Sequence, residues 1–130
     1  MKTLIALFLS LSFCAYAQNP LETYMAELLV AAQTPSFSFE AGQEFYSRKQ
    51  SGGNPQTPSC ATCHGPNPKQ NGENVKTGKI IEPLAPVANP KRLTNREEIE
   101  KWFQRNCKDV LGRTCSPIEK GNFLTFISKQ

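Results

Sequence analysis

The stretch that decides the fold of this chain is residues 60–64, Cys-Ala-Thr-Cys-His, which has the spacing C-x-x-C-H. In this pattern the two thiols add to the two vinyl groups along one edge of a porphyrin, and the adjacent imidazole binds the iron. At this composition, chance alone produces the pattern in about one in a thousand chains of this length. We therefore interpret Cys60 and Cys63 as the attachment points of one covalent haem c, with His64 as the proximal iron ligand.

Three other uses of this pattern fit the surrounding sequence less well. A thioredoxin-like redox pair follows a strand and opens a helix, whereas a loop rich in glycine and proline precedes this motif. A structural zinc site would need a second closely spaced pair, and Cys107 and Cys115 are too far apart for that. A simple disulfide between Cys60 and Cys63 leaves His64 without a role.

Residues 1–17 have the three parts of a secretory signal peptide. Lys2 supplies the positive start, an apolar stretch follows, and residues 15–17 form an A-x-A cleavage site. The apolar stretch is shorter than the roughly 20 residues that are needed to span a bilayer. We therefore predict a cleaved signal peptide over residues 1–17, export to the periplasm, and a monohaem cytochrome c domain over residues 18–130 without a membrane span.

The composition excludes several classes of protein. A single histidine rules out metal sites that need a histidine pair, and 5 cysteines in 130 residues are too few for a disulfide-dense scaffold. The net charge is +4 and no block of lysine and arginine exceeds two residues, so nucleic-acid binding is not predicted. Signal cleavage removes Lys2 and Cys14, which leaves a charge of +3 and four cysteines in an oxidising compartment.

Four helices are predicted, and each starts at or just after a residue suited to capping: Asn19, Ser38, Thr94 and Ser116. The first helix is expected to end at Thr34-Pro35, the second at about Gln50, and the third near residue 106. Residues 65–90 are rich in proline and glycine, so we expect little regular structure there.

The residue counts limit what can bind the second axial face of the iron. No methionine follows His64 and no second histidine exists, so His/Met ligation in the usual order and bis-His ligation are both excluded. The remaining candidates are Asn106, Met25, a lysine, a tyrosine, or a thiolate of Cys107 or Cys115. Two leftover cysteines in an oxidising compartment would most simply form a disulfide with each other.

Asn106 lies on the same predicted helix stripe as Trp102 and Phe103, which places an amide on the apolar face of that helix. Asparagine is also common at helix C-termini, so the residues alone leave its role open. Three basic residues are candidates to pair with the haem propionates, to face a partner or to stay solvated: Lys79, Lys91 and Arg92.

Short motifs along the whole mature chain resemble the sphaeroides haem protein family, a group of small monohaem class I-type cytochromes c. The residues that carry the resemblance are 58–65, 77–79, 83–86, 101–102, 105–107 and 112–115. The combination is much more specific than C-x-x-C-H alone. The resemblance implies an all-α, class I cytochrome c-like fold with about four helices around one covalently attached haem.

The resemblance also implies the residues of the site. His64 is the proximal ligand, Asn106 in Arg-Asn-Cys is a displaceable distal ligand, and Cys107 and Cys115 form a disulfide near the haem. The asparagine is expected to leave on reduction or on ligand arrival, so that the ferrous protein binds O2, NO and CO. A dihaem cytochrome c and a membrane cytochrome b are the implied electron donors.

Together these observations predict a periplasmic c-type cytochrome that accepts electrons and binds O2 or NO where Asn106 is displaced. A terminal oxidase and an NO-detoxifying haem protein are the candidate enzyme activities, and the sequence leaves the choice open. The alternatives are a simple electron-transfer cytochrome c and a non-catalytic gas sensor or carrier.

Overall fold

The computed structural model describes residues 19–130, so the predicted signal peptide lies outside the described residues. Within them the chain forms five helices and one two-stranded antiparallel sheet, in the order α1 (Pro20–Ala32), α2 (Phe39–Ser47), α3 (Cys60–His64), β1 (Gly72–Glu73), β2 (Ile80–Ile81), α4 (Arg96–Leu111) and α5 (Pro117–Ser128). None of these helices is long and apolar enough to cross a membrane. The four predicted helices are present, and the C-x-x-C-H motif forms the fifth.

The predicted caps of α1, α2 and α5 are confirmed. Asn19 accepts a hydrogen bond from the backbone N–H of Leu21 at 3.0 Å, and Ser38 and Ser116 cap their helices in the same manner. The second helix ends at Ser47, before the predicted end at about Gln50, because the next residue already has an extended backbone.

The third predicted helix, α4, differs from the prediction at both ends. Its cap is Asn95 and not Thr94. It continues past residue 106 to Leu111 and ends where Gly112 adopts the left-handed conformation, with φ of 71°. Asn106 therefore lies inside the helix and does not form its C-terminus.

The contact between α2 and α5 is made close by a glycine. A Cβ atom on Gly42 would lie 2.0 Å from the backbone oxygen of Asn122, so no larger residue fits at this crossing without moving a helix. Phe126 on α5 packs against Phe39 and Tyr46 on α2, with ring centroids 5.2 Å and 5.4 Å apart. This helix pair forms one wall of the core.

The two short strands are a feature that the sequence did not predict. The turn between them is stabilised by the side chain of Asn74, which accepts the backbone N–H groups of Lys76 and Thr77 at 3.0 Å and 3.2 Å. The hairpin lies directly against α3, because a Cβ atom on Gly72 would lie 2.2 Å from the backbone oxygen of Cys63. The region after the haem motif is therefore an ordered cover on α3.

Candidate functional site

A cavity of about 650 Å³ brings together most of the residues that the sequence singled out. From α3 it is lined by Cys60, Cys63 and His64, and from α4 by Asn106. Most of its lining surface is apolar, with aromatic and aliphatic side chains from α4 and α5. An apolar cavity of this size with a few convergent polar groups is typical of a cofactor site.

Helix α3 is fixed in place by hydrogen bonds at both of its ends. At its start, the backbone N–H of Ser59 donates to Oγ1 of Thr62 at 3.2 Å, and their hydroxyls lie 2.9 Å apart. At its end, the buried hydroxyl of Tyr46 donates to the backbone oxygen of Gly65 at 2.5 Å. These contacts keep a single helical turn ordered, although a helix of this length has little stability alone.

The donor groups on α3 are chemically suited to covalent haem c. Burial lowers the pKa of His64 to about 4, with a further contribution from the charge of Arg92, so the imidazole is neutral and has a lone pair for iron. Burial raises the pKa of Cys60 to about 12, and both Cys60 and Cys63 are free thiols. Two free thiols and a neutral imidazole on one helical turn, all lining one cavity, fit the attachment of a porphyrin.

The structure distinguishes among the candidate distal ligands by their position. Asn106 is exposed and lines the cavity. Met25 lies on α1, packs against the hydrophobic core, and is absent from the cavity lining, as are all tyrosines of residues 19–130. Lys76 lines the cavity, but its Nζ pairs with Oδ1 of Asp109 at 2.6 Å. Asn106 is therefore the candidate that both lines the cavity and has no competing ion pair.

Cys107 and Cys115 are joined by a disulfide in the structure, with their Cα atoms 5.5 Å apart. Both are buried and both line the cavity. The bond links the helix turn that carries Asn106 to Ser116, the cap of α5. It also removes two ligands from the four-cysteine zinc site considered above.

Two aromatic residues flank the position of Asn106 on α4. Phe103 is buried and packs edge-on against Phe123, with ring centroids 5.6 Å apart. Trp102 is 40% exposed, and the guanidinium of Arg105 lies 5.2 Å from the centre of its ring. Both aromatic residues line the cavity, so the α4 part of its lining includes one buried ring and one partly exposed ring.

A polar cluster at the edge of the cavity was missed by the sequence analysis. Asp109 accepts from Nζ of Lys76 and from the buried hydroxyl of Thr57, each at 2.6 Å. These three residues come from three separate parts of the chain, so no local pattern indicates the cluster. Of the three predicted basic candidates, Arg92 lines the cavity, whereas Lys79 and Lys91 are exposed and do not.

Comparison with known proteins gives matches over most of the chain. The family profile described as "Domain of unknown function (DUF1924)" matches residues 32–127. The cytochrome c-type protein SHP of Cereibacter sphaeroides is 46% identical over 91 residues, which are 70% of each chain. Cytochrome c'' of Methylophilus methylotrophus is 38% identical over 136 aligned positions, which cover 97% of this chain and 92% of the relative.

Solved structures match as well. Oxidised SHP, described as an oxygen-binding cytochrome c, superposes with a TM-score of 0.80 at 42% identity, covering 85% of this chain and 96% of that chain. Oxidised cytochrome c'' from Methylophilus methylotrophus superposes with a TM-score of 0.72 at 36% identity, covering 83% and 92%. The predicted all-α, class I cytochrome c-like fold is thereby confirmed.

Proposed function

The chain belongs to the sphaeroides haem protein family, and we propose that it is a c-type cytochrome whose ferrous form binds O2 or NO after Asn106 is displaced. In this proposal Cys60 and Cys63 hold one haem c, His64 is the proximal ligand, and Asn106 is the distal one. The observation that supports it most directly is the single cavity that these four side chains line, with Met25 elsewhere. The name of the solved relative, an oxygen-binding cytochrome c, points to the same ligand class.

When bound, haem c supplies an iron centre that changes between the ferric and ferrous states and takes up diatomic gases when ferrous. His64 contributes a neutral imidazole, because its lowered pKa of about 4 keeps the ring unprotonated at neutral pH. The imidazole is held in a fixed position because Cys60 and Cys63 on the same helix attach the haem. The hydrogen bond from Tyr46 to Gly65 in turn anchors that helix.

Asn106 has the chemistry of a ligand that can leave. Its amide oxygen is a neutral, hard donor that suits ferric iron better than ferrous iron, so reduction weakens its hold. The side chain is exposed, and the backbone around it is fixed by α4 and by the Cys107–Cys115 bond, so release needs a side-chain rotation and no unfolding. After release the amide group can still donate a hydrogen bond to an incoming ligand beside the packed ring of Phe103.

We place this cytochrome in the periplasm, following the signal peptide predicted over residues 1–17. A dihaem cytochrome c and a membrane cytochrome b are the proposed electron donors, on the resemblance to the family. Reductant-dependent consumption of O2 or NO separates the possible roles. Repeated turnover of O2 or NO would indicate an oxidoreductase, such as a terminal oxidase or an NO-detoxifying enzyme. Uptake of only one gas molecule per haem would indicate a gas carrier or sensor.

The absorption spectrum of the reduced protein, with and without CO, tests the proposal. We expect the ferrous protein to be high-spin and to bind CO, because Asn106 has left. A ferrous spectrum that stays six-coordinate and low-spin and does not change with CO would contradict it and would favour the simple electron-transfer cytochrome.

The Asn106→Ala variant tests the ligand assignment itself. We expect its ferric spectrum to change, while Gln104→Ala, an exposed residue of α4 that does not line the cavity, leaves the spectrum unchanged. An unchanged ferric spectrum for Asn106→Ala would return the assignment to Lys76, which also lines the cavity and, unlike the candidates Cys107 and Cys115, is not part of the disulfide.

A further inference from the structure

The hairpin region, residues 65–93, carries exposed apolar side chains and an excess of basic over acidic residues. Three of the six exposed large hydrophobic residues of the described chain lie here: Val75, Ile80 and Val87. Ile80 and Val87 are 66% and 69% exposed, so most of the surface of each residue is in contact with solvent. Exposed apolar side chains that cluster in one region often mark an interaction site.

The positive charge of the chain is concentrated in the same region. Residues 65–93 contain five basic and two acidic residues, whereas the rest of the described chain contains nine of each. The whole excess of +3 in residues 19–130 therefore lies in the hairpin region. Three of its lysines are exposed and form no ion pair within residues 19–130: Lys69, Lys79 and Lys91.

The hairpin region is also in direct contact with the haem-attachment turn. A shallow groove is lined by Val75 and Ile80 of the hairpin and by Thr62 and Cys63 of α3, and its one charged lining residue is Glu73. Beneath it, the backbone of Gly72 lies against that of Cys63, where even a Cβ atom would come within 2.2 Å. A protein seated in this groove would thus be separated from Cys63 by little or no intervening side chain.

We propose that the hairpin region is the docking surface for an acidic electron-donor protein, with an apolar contact at Val75 and Ile80 and with Lys69, Lys79 and Lys91 as the exposed basic residues of the region. This inference rests on the proposed haem site, because the electron must have an acceptor next to Cys63. With haem c bound at Cys60 and Cys63, the donor would lose one electron and the haem iron would accept it, changing from ferric to ferrous with no group transferred. Opposite charges on the two surfaces raise the encounter rate, and the apolar contact stabilises the complex.

The test is stopped-flow reduction of the ferric holoprotein by an acidic flavodoxin in its hydroquinone form, which is oxidised by one electron to the semiquinone. We expect Lys79→Glu to lower the second-order rate constant about threefold at low ionic strength, and the effect to fade at high salt as charges are screened. Ile80→Ser should lower the rate constant about twofold at every salt concentration, since an apolar contact is not screened.

Matched controls lie outside the hairpin region. Lys49→Glu makes the same charge change, and Val30→Ser removes an apolar side chain that is 79% exposed on α1. Both should leave the flavodoxin rate constant within about 1.5-fold of the wild-type value. Equal slowing in controls and hairpin variants would overturn the proposal, as would faster reduction by a basic redox protein than by the acidic flavodoxin.

Two further measurements separate this proposal from the haem proposal. All variants should be reduced by dithionite within about twofold of the wild-type rate and should then bind CO equally. If CO binding is normal but the hairpin substitutions do not change the rate constant for reduction by flavodoxin, the docking proposal is contradicted and the haem-site proposal is not affected. If the reduced wild-type protein does not bind CO, the distal-site proposal fails independently of where a donor docks.

Discussion

Helix α3 and the middle of α4 line the same cavity, but they are held in very different ways. The turn from Cys60 to His64 is hydrogen-bonded at both ends and covered by the hairpin through Gly72. The side chain of Asn106 is exposed and forms no hydrogen bond within residues 19–130, although its helix is secured by a disulfide next to it. If His64 and Asn106 hold the haem iron as proposed, the side chain on one side of the iron is fixed and the side chain on the other is free to move.

Gly72→Ala should cause the largest loss of stability among the variants that test this difference between α3 and α4. The added Cβ atom would lie 2.2 Å from the backbone oxygen of Cys63, so the hairpin or α3 must move. We expect a loss of about 2–4 kcal/mol in the free energy of unfolding, measured by chemical denaturation, together with a lower yield of covalently attached haem.

Gly78→Ala is the control for that substitution. Gly78 has a φ of 69° and open space around it, so alanine brings backbone strain of about 1 kcal/mol and no collision. If Gly72→Ala costs no more than Gly78→Ala, the contact between the hairpin and α3 contributes little to the rigidity of the proximal side.

Tyr46→Phe should have the next largest effect. Burial raises the pKa of Tyr46 above its usual range, so the hydroxyl is a donor at neutral pH, and its loss leaves the backbone oxygen of Gly65 without that partner. We expect a loss of about 1–2 kcal/mol in unfolding free energy and a shifted Soret band.

Tyr24→Phe is a matched variant on the other side of the core. Its hydroxyl donates to Glu100, which also accepts from Lys120 at 2.8 Å, and none of these three residues lines the cavity. The unfolding free energy should fall by a similar amount, but the Soret band should not move. A Soret shift of equal size in both variants would show that Tyr46 has no special effect on α3.

A pH-dependent contribution to stability is expected at the start of α5, next to the Cys107–Cys115 bond. The hydrogen bond from Arg113 lowers the pKa of Glu119 to about 2, and Ser116 adds to this. Because the folded-state pKa is depressed, the stabilisation is complete above the usual value of about 4.5 and is lost as the pH falls towards 2. The side chain is partly exposed, so solvent screening limits the contribution to about 1 kcal/mol.

Glu119→Gln checks this contribution by denaturation at pH 6 and pH 2.5. The wild-type protein should lose about 1 kcal/mol more than the variant over this range, and Arg113→Gln should behave like Glu119→Gln. Parallel pH profiles for all three proteins would contradict the assignment of the acid sensitivity to this ion pair.

The smallest change in stability is expected from Asn106→Ala in the ferrous protein. The side chain is exposed and, in the proposal above, does not bind iron in this state, so its loss should change the unfolding free energy by less than about 0.5 kcal/mol, like Gln104→Ala. A loss above about 1 kcal/mol would mean that Asn106 still binds iron after reduction. That would contradict the proposed freedom of this side chain.

The sequence predicted those parts of the fold that depend on neighbouring residues. The caps Asn19 and Ser116 act locally through side-chain hydrogen bonds to the next turn, so each could be recognised from a few residues. The predicted end of α4 was wrong because Asn106 was considered the helix terminus, although Gly112 is the stronger signal for a left-handed cap.

The missed features depend on contacts between distant parts of the chain. Strands of two residues have no sequence signature, and this hairpin is ordered by packing against Cys63. The pairing of Lys76 with Asp109 spans 33 positions and likewise leaves no local pattern. In the site, C-x-x-C-H identified α3 directly, whereas the residues alone left Asn106 and Met25 open and only the family resemblance favoured Asn106. The cavity lining, which includes Asn106 and not Met25, supports the same choice.

The burial of Cys60 has a consequence for the maturation of the protein. Its thiol lines the same cavity as the disulfide of Cys107 and Cys115, so the chain before haem attachment carries a nucleophile and an electrophile in one cavity. Exchange requires the thiolate, and a pKa of about 12 leaves almost none of it at neutral pH. The apolar surroundings of Cys60 thus also slow exchange between this thiol and the disulfide before haem attachment.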